Sequence, residues 1–384
     1  MLSPTSNPVA GYAEALSRFE VYLDRVCRNY LYLQKKLKKG TDCAAVVKAD
    51  AYGLGAAAVV PELYKANCRH FYVAKADDGL AVRAALKGQD AHVYVLNGPY
   101  GAAPKELAQN HLIPALNTLG DIEYWAGFAR DGGQRQPAII HLDTGMNRLG
   151  LSAVDVTRLK SNLTLLKSLD IRYVMSHLAC ADEPEHPKNP EQLKKFVELI
   201  GQLGLPCRLS LANSAGIFLG SDYHFDQVRP GCAIYGINPQ ISLPNPMQGT
   251  VALKARILQI RDAVCGETVG YGANYKLSSP AKLASISAGY ADGLLRSFAG
   301  GGVVYINGQK CPVVGRVSME LIVADVTQVT PSPHEGGWAE LIGEHQSVDD
   351  LAAAAKTIGY EILTSLGGKY KRIYSGQGYS CAVR

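Results

Sequence analysis

The sequence predicts an α/β protein with an N-terminal (β/α)8 TIM-like barrel followed by a mainly β C-terminal domain. Eight short apolar segments alternate with helical patterns, no GxGxxG motif opens any of the helices, and strands joined by tight turns take over after about residue 245. Continuously apolar strands are typical of parallel sheets buried on both faces, and eight βα units favour a barrel over a doubly wound sheet. The length of 384 residues accommodates two domains, which we place at residues 12–244 and 245–384.

The elements are predicted in chain order from their periodicity. The first helix is predicted over residues 12–39, where apolar residues recur at three- and four-residue steps until Gly40. The barrel strands are Cys43–Val47, Phe71–Ala74, His92–Leu96, Ile113–Leu116, Ala138–Leu142, Ile171–Met175, Cys207–Leu211 and Phe225–Arg229. The helical patterns between them are Ala57–Asn67, Asp77–Leu86, Pro104–Asn110, Thr118–Ala129, Val154–Ser168, Glu191–Leu203 and a short one near Ala215.

Two local signals stand out in the C-terminal domain. Asn307-Gly308 lies between two strand-like runs and predicts a β-hairpin. Ser347 and Asp350 form a capping pattern at the start of a helix predicted over Ser347–Ile358.

Composition and charge narrow the class of protein. Hydrophobic residues make up 47% of the chain and charged residues 19%, as in a globular protein. The net charge of +5 is mild and no recognition motif accompanies it, which argues against a nucleic-acid partner. No apolar run reaches the ~18 residues of a membrane span, and residues 1–11 lack a signal-peptide pattern. The nine cysteines form no CxxC pair, so we expect free thiols in a cytoplasmic protein.

Unusual polar residues follow the predicted strands at their C-terminal ends, where barrels carry their active sites. They are Lys48 after the first strand, Asp143 to Arg148 after the fifth, Ser176-His177 after the sixth, Asn213-Ser214 after the seventh and Arg229 to Cys232 after the eighth. Their clustering predicts one active site at this end of the barrel.

Taken singly, these residues have both a functional and a structural interpretation. Lys48 is either a desolvated nucleophile with a lowered pKa or a strand-end lysine that reaches water. Arg229 needs an acceptor, which a ligand or a neighbouring carboxylate can supply. His177 is either catalytic or held by structural contacts. The Ser214 hydroxyl and the backbone N–H groups of Gly231 and Cys232 favour a phosphate site.

A metal site is not predicted. The four residues that come near metal-ligand composition lie in a proline-rich loop without ligand spacing, and they are His177, Asp182, Glu183 and His186.

Seven short motifs resemble those of alanine racemases and occur in the family's order over about 270 residues. They are Ala45–Gly55 (AVVKADAYGLG), His141–Gly150 (HLDTGMNRLG), Ala212–Ala215, Val228–Gly231, Val269–Gly272, Ala288–Gly293 and Gly315–Met319. The resemblance spans nearly the whole chain. It implies a pyridoxal-phosphate-binding barrel with a β domain, a head-to-tail homodimer, and interconversion of L- and D-alanine for peptidoglycan.

The resemblance also implies roles by position in these motifs. Lys48 would bind the cofactor covalently and act as one base, and Tyr271 of the partner subunit would act as the other. The residues implied to contact the cofactor are Lys48, Tyr52, His177, Asn213, Ser214, Arg229, Gly231 and Cys232. Arg148 and the partner's Met319 would bind substrate. The substrate corridor is implied to contain Asp182, Tyr290, Arg296 and Arg316.

The chain departs from the family pattern at four places. His141 stands where some members carry a carbamylated lysine, so the support for Arg148 must differ. Ser210 replaces a histidine of some members, Glu320 stands where aspartate is more usual, and Leu366–Gly368 lacks a phosphate-contacting tyrosine. None of these positions is one of the two bases.

Other functions remain to be weighed against alanine racemisation. A racemase of broader specificity, acting on serine or lysine, stays open because pocket size is not readable from the sequence. A related decarboxylase is less favoured, since its His-x-Gly-Ser and Glu-Pro-Gly-Arg segments do not occur here. A non-catalytic pyridoxal-phosphate carrier would resemble the barrel alone.

Overall fold

The computed structural model describes residues 15–376. Within it, residues 23–248 form one compact unit, and residues 15–22 with 249–375 form a second. The sequence placed the boundary at residues 244/245 and assigned residues 12–22 to the barrel. Residues 12–14 and 377–384 of the predicted domains, with Cys381, lie outside the described residues.

The beginning of the chain corrects the first predicted helix. Strand β1 (Ser17–Tyr22) precedes helix α1 (Leu23–Lys35), and β1 belongs to the sheet of the second unit. Phe19 and Val21 are fully buried at alternate positions of β1. The helical pattern was wrong here because the apolar residues of this stretch also satisfy the two-residue period of a strand.

The first unit contains the predicted parallel barrel. Its strands are β2 (Asp42–Cys43), β3 (Ala45–Val46), β4 (His70–Val73), β5 (His92–Val95), β6 (Leu112–Leu116), β7 (Gln136–His141), β8 (Leu169–Met175), β9 (Arg208–Asn213) and β10 (Gln227–Arg229). They pair in the order β2-β10-β9-β8-β7-β6-β5-β4-β3. Only Ala44 separates β2 from β3, so these two segments act as one strand that pairs with β10 on one side and β4 on the other.

Helices alternate with the barrel strands, as predicted. After α1 they are α2 (Lys48–Tyr52), α3 (Ala56–Lys65), α4 (Ala76–Leu86), α5 (Pro104–Gln109), α6 (Leu119–Asp131), α7 (Ala153–Ser161) and α8 (Lys188–Leu203). The longer ones are amphipathic: α8 buries Phe196, Leu199 and Leu203 at three- and four-residue steps. The alternation brings the C-terminal ends of all barrel strands to one rim, which positions the site described below.

The second unit is mainly β. Its later strands are β11 (Val251–Ala263), β12 (Thr268–Val269), β13 (Tyr275–Lys276), β14 (Ala281–Ile286), β15 (Val303–Ile306), β16 (Gln309–Val314), β17 (Ile322–Asp325), β18 (Trp338–Ile342) and β19 (Arg372–Ser375). The sheet order is β14-β17-β16-β15-β18-β11-β1-β19, and β14 also pairs with β11. The long strand β11 therefore pairs with three strands, β18, β14 and β1, and so links the two ends of the antiparallel part of the sheet, which are β14 and β1.

Both local signals of the C-terminal domain are confirmed. Asn307 and Gly308 have positive φ angles of 52° and 74° between the paired strands β15 and β16. Ser347 caps helix α9 (Val348–Ala354) through a reciprocal capping box with Asp350. A further helix, α10 (Gly359–Gly367), was not predicted, because glycine lies at both of its ends.

Within residues 15–376, no helix is both long and apolar enough to cross a membrane.

Candidate active site

The chain turns sharply after Lys48 at the rim of the barrel. Ala49, Asp50 and Ala51, inside α2, have left-handed backbone angles with φ between 53° and 55°, and Tyr52 has a φ of 55°. Residues with a Cβ rarely adopt this conformation, which costs roughly 1–2 kcal/mol per residue. Strain of this kind concentrates at functional sites. The turn returns Tyr52 to the interior, where its side chain is buried.

Lys48 is partly buried two residues after β3, at the first residue of α2. Burial lowers the pKa of its amine, and the nearby Arg148 guanidinium lowers it further. Both effects disfavour the charged form, so a larger fraction of the amine is neutral and nucleophilic near neutral pH. These surroundings favour the functional interpretation of Lys48 over that of a strand-end lysine in water.

Arg229 ends β10 with its side chain in the barrel interior, and only 5% of the residue is exposed. Its guanidinium donates to Ser210 Oγ and to the backbone oxygens of Ser176 and Leu211. All of these acceptors are neutral, and no carboxylate of residues 15–376 forms an ion pair with it. The described part of the chain therefore does not contain the salt bridge that the structural interpretation of Arg229 requires.

A small cradle of donors lies beside Arg229. The backbone N–H groups of Gly231 and Ala233 donate to Ser214 Oγ at 2.9 and 3.3 Å. A Cβ on Gly231 would lie only 2.4 Å from Tyr52 Oη, so the tyrosine hydroxyl approaches this backbone closely because residue 231 is glycine. These N–H groups and the two hydroxyls lie within one small region, which suits an anion that would replace Ser214 Oγ as their acceptor.

A cavity opens between the loops after β7 and β8. It is lined by His141, Leu142, Asp143, Met146, Arg148, Leu149, Ser176 and His177. The Asp143 carboxylate accepts hydrogen bonds from the backbone N–H groups of Gly145, Met146 and Asn147, and so fixes the loop that carries Arg148. Burial, then Arg229 and Arg148, lower the pKa of His177, which keeps its imidazole neutral.

His141 has a partner that the sequence did not reveal. Its Nδ1 lies 2.8 Å from Asn117 Oδ1, while Asn117 Nδ2 donates to the backbone oxygens of Leu96 and Ala115. With its nitrogen engaged as a donor, Asn117 offers an acceptor, so the proton of His141 lies on Nδ1. Burial, Arg229 and Arg148 lower the pKa of His141 to about 3. The two residues are neighbours only because β6 and β7 pair, which no local sequence pattern announces.

The remaining predicted residues of the barrel have mainly local contacts. Asn213 Oδ1 accepts a hydrogen bond from the Gly216 backbone N–H at 2.9 Å and so holds the turn after β9. Cys232 is buried at the start of a short turn, and Asp182 is partly exposed in the loop after β8. Within residues 15–376, no three histidine, cysteine or acidic side chains are grouped to hold a metal ion.

The second unit holds the other predicted residues, four of which lie close together. Tyr271 is 71% exposed in the turn between β12 and β13. A Cβ on the next residue, Gly272, would lie 3.2 Å from Arg316 Nη1. The Tyr290 N–H donates to Ser318 O, and Met319, 56% exposed, follows on the same loop. Arg296 is exposed at the start of the turn Arg296–Gly300.

The mouth of the barrel thus combines an amine of lowered pKa, two further cations and a donor cradle. Asp143 is the carboxylate that lines the cavity, and three backbone N–H groups already occupy it. The arrangement can hold a small ligand with a strongly anionic group while presenting the Lys48 amine to it.

Comparison with known proteins identifies the family. The profile described as alanine racemase, N-terminal domain, matches residues 21–239, and that of the C-terminal domain matches residues 250–374. Alanine racemases of Rickettsia canadensis and Rhodospirillum rubrum are each 44% identical to this chain over 362 and 364 residues. The alignments cover 94% of this chain and 99% and 96% of those proteins.

Solved structures agree with the sequence comparison. The crystal structure of alanine racemase from Bartonella henselae with covalently bound pyridoxal phosphate has 41% identity and a TM-score of 0.90, covering 94% of this chain and 100% of that one. Alanine racemase from Streptomyces coelicolor has 31% identity and a TM-score of 0.88, covering 94% and 98%. Both domain profiles and nearly full-length relatives match, and the chain belongs to the alanine racemase family.

Proposed function

We propose that this protein is a pyridoxal-phosphate-dependent alanine racemase that interconverts L- and D-alanine. The observation that carries the proposal is the Lys48 amine, with its pKa lowered by burial and by Arg148, at the barrel mouth that also holds the donor cradle. Membership of the alanine racemase family supports the same function.

The residues at the mouth fit pyridoxal phosphate. Ser214, Tyr52 and the backbone N–H groups of Gly231 and Cys232 would hold the phosphate, and the Lys48 amine would bind the aldehyde carbon. The close approach of Tyr52 to Gly231 supports this assignment, because hydroxyl and backbone donors converge there. The cofactor, when bound, supplies a conjugated electron sink that stabilises negative charge at the substrate α-carbon.

Arg229 would face the pyridine nitrogen. The buried Arg229 guanidinium can donate a hydrogen bond but does not give up its proton, so a ring nitrogen held opposite it would stay unprotonated. Opposite Arg229 the cofactor would be a weaker electron sink than opposite an aspartate carboxylate. Arg229 would thereby favour return of the proton to the α-carbon of the substrate and disfavour transamination.

Racemisation requires a proton to leave one face of the α-carbon and another to arrive on the opposite face. Lys48 would serve one face, and Tyr271 of the partner subunit the other. The exposure of Tyr271 on its own unit supports a role in a second subunit, so we propose a head-to-tail homodimer. Neutral His177, near Arg229, would help to tune the tyrosine.

Substrate recognition is assigned to groups around the two bases. Arg148 and the partner's Met319, through its backbone, would bind the alanine carboxylate. Asn213 would hold the cofactor-side turn after β9. The corridor to the site would be lined by Asp182, Tyr290, Arg296 and Arg316.

The cellular setting follows from the same reaction. D-alanine is a building block of peptidoglycan, so we propose a cytoplasmic biosynthetic role. The eight cysteines of the described chain are free, which supports a reducing compartment. A broader racemase acting on serine or lysine is the second candidate, and a panel of L-amino acids separates the two.

The test combines cofactor colour with α-hydrogen exchange. The purified protein should be yellow and should exchange the α-hydrogen of L-alanine in deuterated water. Lys48→Ala should lose the covalent cofactor and about 10³-fold or more of the racemase activity. A colourless, inactive wild-type protein after addition of pyridoxal phosphate would refute the proposal.

The role of Tyr271 as the second base is tested with Tyr271→Phe and a control variant at Tyr275, in the same exposed part of the chain. Tyr271→Phe should keep the cofactor colour but lose at least about 100-fold in racemisation, because one face then lacks its proton donor. Tyr275→Phe removes a hydroxyl four residues away and should leave activity unchanged. Equal activity of the two variants would remove Tyr271 from the mechanism.

A further inference from the structure

The interior side of Arg229 is covered by an aromatic ring. The guanidinium carbon lies 6.0 Å from the centre of the Tyr72 ring, and Tyr72 is fully buried on β4. Tyr72 is itself stacked on Tyr94, its register partner on the neighbouring strand β5, at 4.5 Å between ring centres. The ring therefore forms a floor beneath the arginine, with a second ring supporting it.

The Tyr72 hydroxyl is tied to the strand that carries Arg229. It donates to Gln227 Oε1, and Gln227 lies two residues before Arg229 on the same face of β10. The backbone oxygen of Gln227 also accepts from Ser210 Oγ, which in turn accepts from Arg229. Gln227 is thus hydrogen-bonded to the Tyr72 hydroxyl through its side chain, and it is linked to Arg229 through Ser210.

One atom of this network is not satisfied. Gln227 is fully buried, and among the described residues its Nε2 has no hydrogen-bond partner. A leucine at this position would avoid that loss but would leave the Tyr72 hydroxyl without its acceptor. Gln227 therefore gives the Tyr72 hydroxyl an acceptor that an apolar side chain would lack.

The charge of Arg229 explains why a ring is suited to this place. The hydrogen-bond acceptors of the buried cation in residues 15–376 are neutral, so its burial is only partly compensated. The negative face of an aromatic ring attracts a cation without accepting its hydrogen bonds. The ring therefore holds the guanidinium while leaving its remaining N–H groups to donate towards the barrel mouth.

We infer that Tyr72, anchored by Gln227, is a positioning residue that holds Arg229 at the height where it meets the cofactor ring. This inference rests on the proposed function. A hydrogen bond from the guanidinium to a ring nitrogen requires about 2.7–3.2 Å between the heavy atoms. Without the floor, the guanidinium has room to sink into the barrel and lose that contact.

The experiment measures the affinity of the apoprotein for pyridoxal phosphate and the pH at which the visible band of the bound cofactor changes. Tyr72→Leu should bind about tenfold more weakly and shift that pH. Tyr72→Phe keeps the ring but loses the hydrogen bond to Gln227, so it should bind more weakly than the wild type and more tightly than Tyr72→Leu, by about threefold in each case.

The matched control is Tyr173→Leu. Tyr173 is also a buried tyrosine of the barrel, but it packs against Tyr94 and Arg208 and makes no ring contact with Arg229. It should lose a comparable amount of thermal stability while keeping cofactor affinity within about twofold. Equal affinities of Tyr72→Leu and Tyr173→Leu would overturn the inference and leave the proposed function intact. A wild-type protein that binds no pyridoxal phosphate would overturn both.

A second pair of variants avoids any loss of volume. Phenylalanine and pentafluorophenylalanine at position 72 fill nearly the same space, but fluorination reverses the charge distribution of the ring. The fluorinated protein should bind the cofactor at least about threefold more weakly than Tyr72→Phe, with an unchanged melting temperature. Equal binding by these two proteins would contradict the positioning role even if Tyr72→Leu does not fold.

Discussion

The two ends of the barrel treat their charges in opposite ways. At the N-terminal end, Asp42 lies 2.8 Å from Arg208 Nη2 and 3.5 Å from His70 Nε2, and Tyr173 Oη donates to it at 3.4 Å. At the C-terminal end, Arg229 has only neutral acceptors within the described chain, and Lys48 sits beside another cation. The N-terminal end therefore pairs its charged side chains with one another. At the C-terminal end, the described residues give Lys48 and Arg229 no carboxylate partner, which leaves these cations to an anionic ligand.

The backbone shows the same difference. The N-terminal ends of the strands are ordinary parallel pairs, such as His70 with His92. The rim after β3 carries four consecutive residues in the left-handed region. Single left-handed residues also precede strands at the N-terminal end (Asn67, Lys87, His111 and Phe225), but the run of four lies at the C-terminal end together with the cations that lack a carboxylate partner in the described chain. This is typical of a barrel whose N-terminal face serves stability and whose C-terminal face serves chemistry.

The largest effect should come from closing the cradle at the C-terminal end. In Gly231→Ala, the new Cβ would lie 2.4 Å from Tyr52 Oη and 3.3 Å from Val46 Cβ. The Tyr52 ring is buried and packed at 4.6 Å against Tyr235, so it cannot swing aside without disturbing its neighbours. Affinity for pyridoxal phosphate, measured by titration of the apoprotein, should fall about 10- to 100-fold.

Gly201→Ala is the control for this variant. Gly201 lies in α8, and a Cβ there would meet nothing within 4 Å. This change should leave cofactor affinity unaltered and stabilise the helix by about 1 kcal/mol. If Gly231→Ala bound the cofactor as tightly as Gly201→Ala, the cradle would not be the phosphate site.

Much of this contrast could be predicted from the sequence. Lys48, Ser214 and Arg229 each follow an apolar strand, so their place at the rim follows from chain order alone. The NG hairpin and the Ser347 cap are also local signals. Such features need only neighbouring residues, and the sequence carries them directly.

Other features depend on contacts between distant segments. Tyr72 and Gln227 are 155 residues apart, and His141 and Asn117 are 24 apart, so their hydrogen bonds appear only once the strands are arranged. Strand β1 was misread because its apolar residues fit two periods, and its pairing with β11 decides between them. In each case tertiary pairing settles what local pattern leaves open.

The second effect in size concerns the pH dependence of stability at the C-terminal end. His141 has a pKa of about 3 in the folded barrel, against about 6.5 when unfolded. Between these values the unfolded chain binds more protons, so the free energy of unfolding falls as the pH falls. From pH 6.5 to pH 5 this one group should remove about 2 kcal/mol.

His141→Gln should therefore flatten the decline, since glutamine can still donate to Asn117 but does not titrate. Urea unfolding at several pH values measures the slope. Trp125 is in the barrel and Trp338 in the second unit, and they are the two tryptophans of the chain. A Trp338→Phe background lets fluorescence follow the barrel alone. If the free energy of unfolding fell with pH at the same slope in His141→Gln and in its parent protein, His141 would not be held neutral in the folded barrel.

The smallest effect concerns the N-terminal end of the barrel, where Asp42 is paired with Arg208 and His70. A hydrogen bond from His70, opposed by burial and joined by Arg208, lowers the pKa of Asp42 to about 2. A carboxylate with a lowered pKa stabilises the fold above its unfolded value of about 3.9, and this stabilisation is lost as the pH falls towards 2. Asp42 is partly exposed, so solvent screens the pair and Asp42→Asn should cost about 1 kcal/mol at pH 7.

If the two ends of the barrel have separate roles, the loss of stability in Asp42→Asn should not affect cofactor binding or racemisation. Asp42→Asn should therefore bind pyridoxal phosphate and racemise alanine like the wild type, and its stability deficit should shrink as the pH falls from about 4 to about 2. Asp170→Asn breaks a single, more exposed pair with Arg172 on the same barrel and should cost less than Asp42→Asn. A loss of cofactor affinity in Asp42→Asn would contradict the independence of the two ends. It would show that the change is transmitted along the barrel, either through the pairing of Asp42 with Gln227 on β10 or through the ring contacts of His70, Tyr94 and Tyr72.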